Sequence, residues 1–142
     1  MIKATYDTNT LVSGTTISHG PISNVINAWI NDDVEMITSE ALIDELSRTL
    51  QKPYFTSRFS DKQTQSFINV IRERATIVPI TSTLPTVSKD PDDNMVLATA
   101  ESGNASYIVT GDRQLQDIKQ FKNIKIVNAR TFSEIIEDEK VA

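Results

Sequence analysis

With 142 residues, 39% hydrophobic and 23% charged, the chain has the size and balance of a globular domain and excludes both a disordered and a membrane-spanning protein. A formal net charge of −5 argues against broad coating of nucleic acid and leaves room only for a local basic groove. The absence of cysteine excludes disulfides, thiolate nucleophiles and Cys-based zinc sites; with no basic-then-apolar leader at the N-terminus, a cytoplasmic protein with no membrane partner is expected.

Ile2, Ala4 and Tyr6 alternate with Lys3 and Thr5, the pattern of a short strand. Asp7, Thr8 and Asn9 close it with small polar residues that suit a turn or a helix cap. Pro21 to Ile30 places Ile22, Val25, Ile26, Trp29 and Ile30 at helical spacing, with Trp29 in the core. Val34 to Thr38 is a second strand, and Thr38 or Ser39 caps a helix to about Leu50 that Pro53 stops. Asp61 to Arg74 is an amphipathic helix with Phe67, Ile68, Val70 and Ile71 inward, and Thr76 to Ile80 is a strand that Pro79 assigns to an edge or an end. A polar connector, Thr81 to Lys89, leads to a helix opened by Asp90-Pro91-Asp92-Asp93 and closed by Gly103. Ala105 to Thr110 is a strand ending at Gly111-Asp112; a short helix, a strand at Ile124 to Val127 and a helix at Phe132 to Ile136 follow. This alternation implies an α/β domain with a mostly parallel sheet covered on both faces, one domain over residues 1–142 with its core from about 2 to 136.

Strands of a parallel sheet end on one edge, and ligands bind beyond it, so Asp7 and Asp112 are expected to be neighbours there. Asp93 lies three and four residues before Val96 and Leu97, so it heads the inward stripe of its helix, whereas Asp92 is rotated away. An acid in a first turn behind an Asp90 cap also serves the helix dipole, so both uses stand for Asp93. In the helix after Ser39, Glu40 and Glu45 flank opposite edges of the apolar stripe and Asp44 faces solvent; periodicity does not choose between the two glutamates.

Carboxylates facing one another stay ionised together only if a cation compensates them. Oxygen donors and one loop histidine, His19, favour Mg²⁺ or Mn²⁺ over zinc. The four glycines form no phosphate cradle, and no GxSxG elbow is present. Metal-assisted hydrolysis of a phosphate ester is the chemistry left.

The segments YDTNTLVSG, ALIDELSRTL, DPDDNMVLATA and YIVTGD, in this order and spacing, resemble the PIN-domain ribonucleases, and most of all the toxins of bacterial and archaeal toxin–antitoxin pairs. The resemblance runs from Ile2 to about Phe132 and implies a three-layer α/β/α sandwich and endonucleolytic cleavage of RNA at an acidic metal site. Carried over by position, it implies Asp7, Glu45, Asp93 and Asp112 as catalytic metal ligands, with Asn9 and Thr110 supporting them and Asp90 near the metal. Many relatives carry another acid shortly after the TGD motif; here Gln114 stands in the near position and Asp117 lies further on. The resemblance also implies a small antitoxin partner, and the apolar helix faces at Pro21–Ile30 and Asp61–Arg74 fit a homodimer and core packing equally well.

Arg48 and Lys52, beyond Glu45 on its helix, and Lys89 and Arg113, beside two of the Asp motifs, are candidate RNA-phosphate contacts. Tyr54 and Phe55 are the aromatic pair expected to be exposed. Two other functions compete. GDRQLQD, with Asp112 and Asp117, fits a haloacid-dehalogenase-like phosphatase, although Asn9 replaces the second Asp that such enzymes use as general acid. A non-catalytic RNA- or protein-binding module of the same fold is the other.

Overall fold

The computed structural model describes residues 1–141. In chain order the elements are β1 (Ile2–Tyr6), α1 (Thr8–Ser13), α2 (Pro21–Ile30), β2 (Val34–Thr38), α3 (Glu40–Leu50), α4 (Pro53–Thr56), α5 (Asp61–Arg74) and β3 (Thr76–Ile77). They continue with α6 (Pro91–Ser102), β4 (Tyr107–Val109), α7 (Arg113–Ile118), β5 (Gln120–Phe121), β6 (Ile124–Val127) and α8 (Ala129–Val141). The sheet runs β3-β2-β1-β4-β6-β5, parallel throughout except for the β5–β6 hairpin at one edge.

Alternation along the strands sorts side chains onto two faces. Ala4, Tyr6, Met36 and Val109 meet Val25 and Trp29 of α2, Ile43 and Leu46 of α3, Ile71 of α5 and Phe132 of α8. Their strand neighbours Ile37 and Ile108 point the other way, onto Val96, Leu97 and Ala100 of α6 and Leu115 of α7. Helices thus cover both faces, a three-layer α/β/α sandwich. The two large polar aromatics in the first layer are satisfied. The Tyr6 hydroxyl donates to the Val25 carbonyl at 2.8 Å, and Trp29 Nε1 donates to the Arg74 carbonyl at 3.0 Å.

Several elements depart from the sequence expectation. Asp7 does cap a helix, but the TNTLVS segment that follows forms α1, a single short piece whose period is too brief to read. β3 stops after Ile77; Val78 still donates to the Thr38 carbonyl at 2.9 Å, and Pro79 then brings no N–H to continue the ladder. The strand expected from Ala105 to Thr110 is confined to Tyr107–Val109. The β5–β6 hairpin is unannounced by glycine, its turn being made with Lys122 at φ 53°. α8 outruns its apolar stripe to Val141, and Lys140 ties the solvated end to Asp33 at 3.3 Å. No helix among the described residues is long and apolar enough to cross a membrane.

α6 is buried on nearly every side, from Asp93 and Asn94 through Val96 to Ala100. Its small residues Ala98, Thr99 and Ala100 let it lie close against the sheet. Gly103 continues that close approach, because a Cβ there would stand 2.3 Å from Ile37 Cγ2. Gly103→Ala is therefore expected to destabilise by about 1–3 kcal/mol, lowering Tm by roughly 4–12 °C in a calorimetric melt.

Candidate active site

β1 is flanked by β2 on one side and β4 on the other, so the chain reverses its direction of travel across the sheet between β1 and β4. Beyond the carboxyl ends of these two strands lies the crevice in which open α/β sheets bind ligands. Asp7 follows β1 directly, and its N–H donates to the Val109 carbonyl of β4 at 3.1 Å. Asp112 follows β4 after two residues and caps α7, accepting the Gln114 N–H at 2.9 Å.

Asp7 is held at both oxygens. Oδ1 accepts the Thr10 N–H at 2.8 Å as the cap of α1, and Oδ2 accepts the Thr110 hydroxyl. The same Thr110 oxygen accepts the Asp112 N–H at 3.0 Å, so one threonine joins the two acids. Asp93, in the first turn of α6, accepts the Ser88 hydroxyl at 2.9 Å on Oδ2. Asp90 caps that helix through the Asp92 N–H at 2.9 Å. Ser39 starts α3 and its hydroxyl lies 2.9 Å from that of Thr99, a buried tie between the helix of Glu45 and the helix of Asp93.

The structure brings Asp7, Glu45, Asp93 and Asp112 together in one cleft of about 80 Å³, with Thr8, Asn9, Asp90 and Asp92 also on its wall. Glu40 is elsewhere. It makes a bidentate pair with Arg72 on the surface, at 2.7 and 3.0 Å, and that guanidinium holds its carboxyl below the usual range. Asn9 is exposed on the cleft wall, and no hydrogen bond from its side chain to an acid is present among the described residues; the Thr10 N–H and the Thr110 hydroxyl hold Asp7. Asp92, expected to point away, is exposed yet close enough for its charge to raise Glu45.

Arg48, Lys52, Lys89 and Arg113 are all exposed and none is on the cleft wall; Arg48 is close enough for its charge to act on Glu45. Of the aromatic pair, Tyr54 is 53% exposed and carries Arg58 over its ring at 3.7 Å, while Phe55 packs against the core. His19 and Asp117 are exposed, and neither is on the cleft wall.

Crowding and burial shift the acids together. Asp7 and Asp93 are each 5% exposed. Burial raises Asp7, with the charge of Asp112 adding to it against the Thr110 and Thr10 hydrogen bonds. Burial raises Asp93 to about 6; Ser88 opposes, while Asp112 and Asp90 add repulsion and a shared hydrogen bond with Asp112 favours the protonated form. Glu45 is raised by burial and then by Asp92 and Asp7, opposed by Thr8 and Arg48.

The donors are all oxygen, from several elements, and their charges disfavour one another; that combination fits a hard divalent cation. The opening of about 80 Å³ between them has room for several waters, which suits an ion that keeps part of its hydration shell. As the side chains stand, no three of them close around one point among the described residues. Ser88, Asn94, Thr8 and Thr10 line or buttress the site without having been singled out from the sequence. Only Thr10 had a signal, standing three residues after the Asp7 cap, where a first-turn amide meets it.

An α/β/α domain with carboxylates gathered at the switch point of a parallel sheet is the class that fold and cleft define. A family model described as PIN domain matches residues 3–114, and the chain belongs to the PIN-domain family. No curated protein matches it. Among solved structures it is similar to a chain of VapBC2 from Rickettsia felis, crystallised bound to a DNA fragment from their promoter. That match has a TM-score of 0.62 and 16% identity, over 89% of this chain and 98% of that one. It is also similar to PAE2754 from Pyrobaculum aerophilum, with a TM-score of 0.65 and 15% identity over 96% of this chain and 90% of that one. At such identities the likeness speaks for the fold alone.

Proposed function

We propose that this chain, acting as one domain, is a metal-dependent endoribonuclease and the toxin of a toxin–antitoxin pair. The observation that carries the reading is the convergence of Asp7, Glu45, Asp93 and Asp112 on one cleft, with three of these carboxyls pushed upward in pKa by burial and by their neighbours. Membership of the PIN-domain family supports a nuclease, and the toxin–antitoxin name of one structural relative supports a small antitoxin partner.

Asp7, Asp93 and Asp112 would hold Mg²⁺ or Mn²⁺, and such an ion supplies charge on the phosphoryl oxygen and a water of lowered pKa. The chain's own part is preorganisation. Thr10 and Thr110 fix both oxygens of Asp7, and Thr110 sets Asp112 against it through the Asp112 amide. Glu45, half-buried on the wall and with raised proton affinity, orients the attacking water and takes its proton. Arg48, Lys52, Lys89 and Arg113, exposed cations on an otherwise acidic protein, meet RNA phosphates. Both candidate dimer helices put residues in the core, Val25 and Trp29 of α2 and Ile68 and Ile71 of α5, and both leave apolar residues only partly buried, Ile26 and Ile30 on α2 and Phe67 and Val70 on α5, so either face can serve a homodimer.

The test is cleavage of end-labelled RNA. With Mg²⁺ or Mn²⁺ the expected products carry a 5′-phosphate and a 3′-hydroxyl, and EDTA stops the reaction. Turnover of small phosphomonoesters with no RNA cleavage would instead support the phosphatase.

A further inference from the structure

Asp7 and Asp112 take their positions from backbone amides of the helices they cap, but Asp93 does not. Its carboxylate is held by Ser88 Oγ, which donates to Oδ2 at 2.9 Å from the irregular connector ahead of α6. A serine on such a segment is a poor anchor unless its own backbone is fixed. Asn94 fixes it. Asn94 is 6% exposed, its Oδ1 accepts the Ser88 N–H at 3.0 Å, and its Nδ2 donates to the Ser88 carbonyl at 2.8 Å. A side-chain amide that meets both backbone groups of one residue replaces the ladder partner that residue lacks. Ser88 Oγ also accepts the Asp90 N–H at 3.2 Å, which engages the hydroxyl's lone pair and directs its proton to Asp93. Ser88 engages only the Oδ2 oxygen of Asp93.

We propose that Asn94 and Ser88 are a positioning pair that sets Asp93 for ion binding. Asn94 locks the Ser88 backbone, and the Ser88 hydroxyl holds Oδ2 and leaves Oδ1 for the ion. Neither residue touches the ion or the RNA. The inference rests on reading the cleft as a metal centre. It gives Ser88 and Asn94 a role and makes the last residues of the connector part of the site. A pair that served only to start α6 would cost stability when lost and would leave ion affinity unchanged.

The experiment measures Mn²⁺ binding directly, by the electron paramagnetic resonance of free Mn²⁺, on wild type, Ser88→Ala, Ser88→Thr and Asn94→Ala. Melts in EDTA follow stability alongside. Ser88→Ala is expected to weaken Mn²⁺ binding roughly 10- to 100-fold, the usual range for a residue behind a ligand, and Ser88→Thr, which keeps the hydroxyl, to restore most of it. In RNA cleavage the half-saturating Mn²⁺ rises for Ser88→Ala while the rate at saturating Mn²⁺ stays near wild type. Asn94→Ala is expected to behave in the same way; should it fail to fold, the two Ser88 variants carry the test, because Ser88 lies outside the helix. Wild-type affinity in Ser88→Ala, or a Thr variant as weak as the Ala one, overturns the inference alone. A wild-type protein that binds no Mn²⁺ overturns the metal reading and this inference with it.

Discussion

Asp7→Asn is expected to lose at least about 100-fold in metal-dependent RNA cleavage, beyond the 10- to 100-fold typical of residues that only support a ligand. It is also expected to remain folded. Asn caps helices as well as Asp does, so the Thr10 N–H keeps an acceptor at Oδ1. The second position becomes an amide NH₂ facing Thr110, and that hydroxyl turns to accept from it. What the variant loses is charge. In the metal-free protein that charge is a cost, since burial and Asp112 both disfavour the ionised form of Asp7. The metal-free Asn variant should therefore melt at or above wild type near neutral pH. End-labelled RNA cleavage and a thermal melt of the same preparation check the two halves together. Cleavage retained in a folded Asp7→Asn protein would sink the site assignment.

Divalent metal is expected to stabilise the protein strongly at about pH 7.5 and far less at about pH 5. Asp93 rises from the ordinary 3.8 to about 6 in the folded state, and Asp7 and Glu45 move the same way. A carboxyl whose folded pKa exceeds its unfolded one binds more protons in the native state within that window. Stability of the metal-free protein is therefore greatest below it and falls as pH rises from about 4 through about 6. A cation relieves the repulsion where the carboxyls are ionised and competes with protons where they are not. At a hundredfold excess over Kd, Mn²⁺ contributes about 2.7 kcal/mol. For a chain of this size that is a rise in Tm of roughly 8–12 °C, reversed by EDTA. Scanning calorimetry at the two pH values with and without Mn²⁺ makes the comparison; equal shifts at both, or none at either, would contradict a carboxylate metal site.

The sequence carried the layer plan because its strands and helices have opposite periods, and because Val34–Thr38 and Ile124–Val127 are apolar runs with clear ends. Asp7 and Asp112 were legible as neighbours for the same reason, since parallel strands deliver their last residues to one edge. Glu40 and Glu45 were not separable by spacing alone. What separates them is Arg72, which holds Glu40 at the surface from a helix 32 residues away, and no local pattern reports such a partner. Ser88 was hidden for a related reason. Its neighbours in the connector have no period, and the residue that gives it a role, Asn94, acts through side-chain geometry across a turn. β5, and with it the β5–β6 hairpin, escaped because a two-residue strand is too short to alternate and Lys122 takes a backbone conformation usually left to glycine.

Asp7, Asp90 and Asp112 each begin a helix with the same carboxyl group that faces the cleft. Starting a helix asks only for an oxygen that accepts a hydrogen bond, and the neutral amide of Asn provides one. Heritable loss of the chemistry is thus uncoupled from loss of the scaffold. Under the nuclease reading proposed above, a single exchange at such a cap gives a copy that folds and cuts nothing. Whether a homologue is armed or dormant will then be written in the identity of a few cap residues, while overall likeness stays silent on the question.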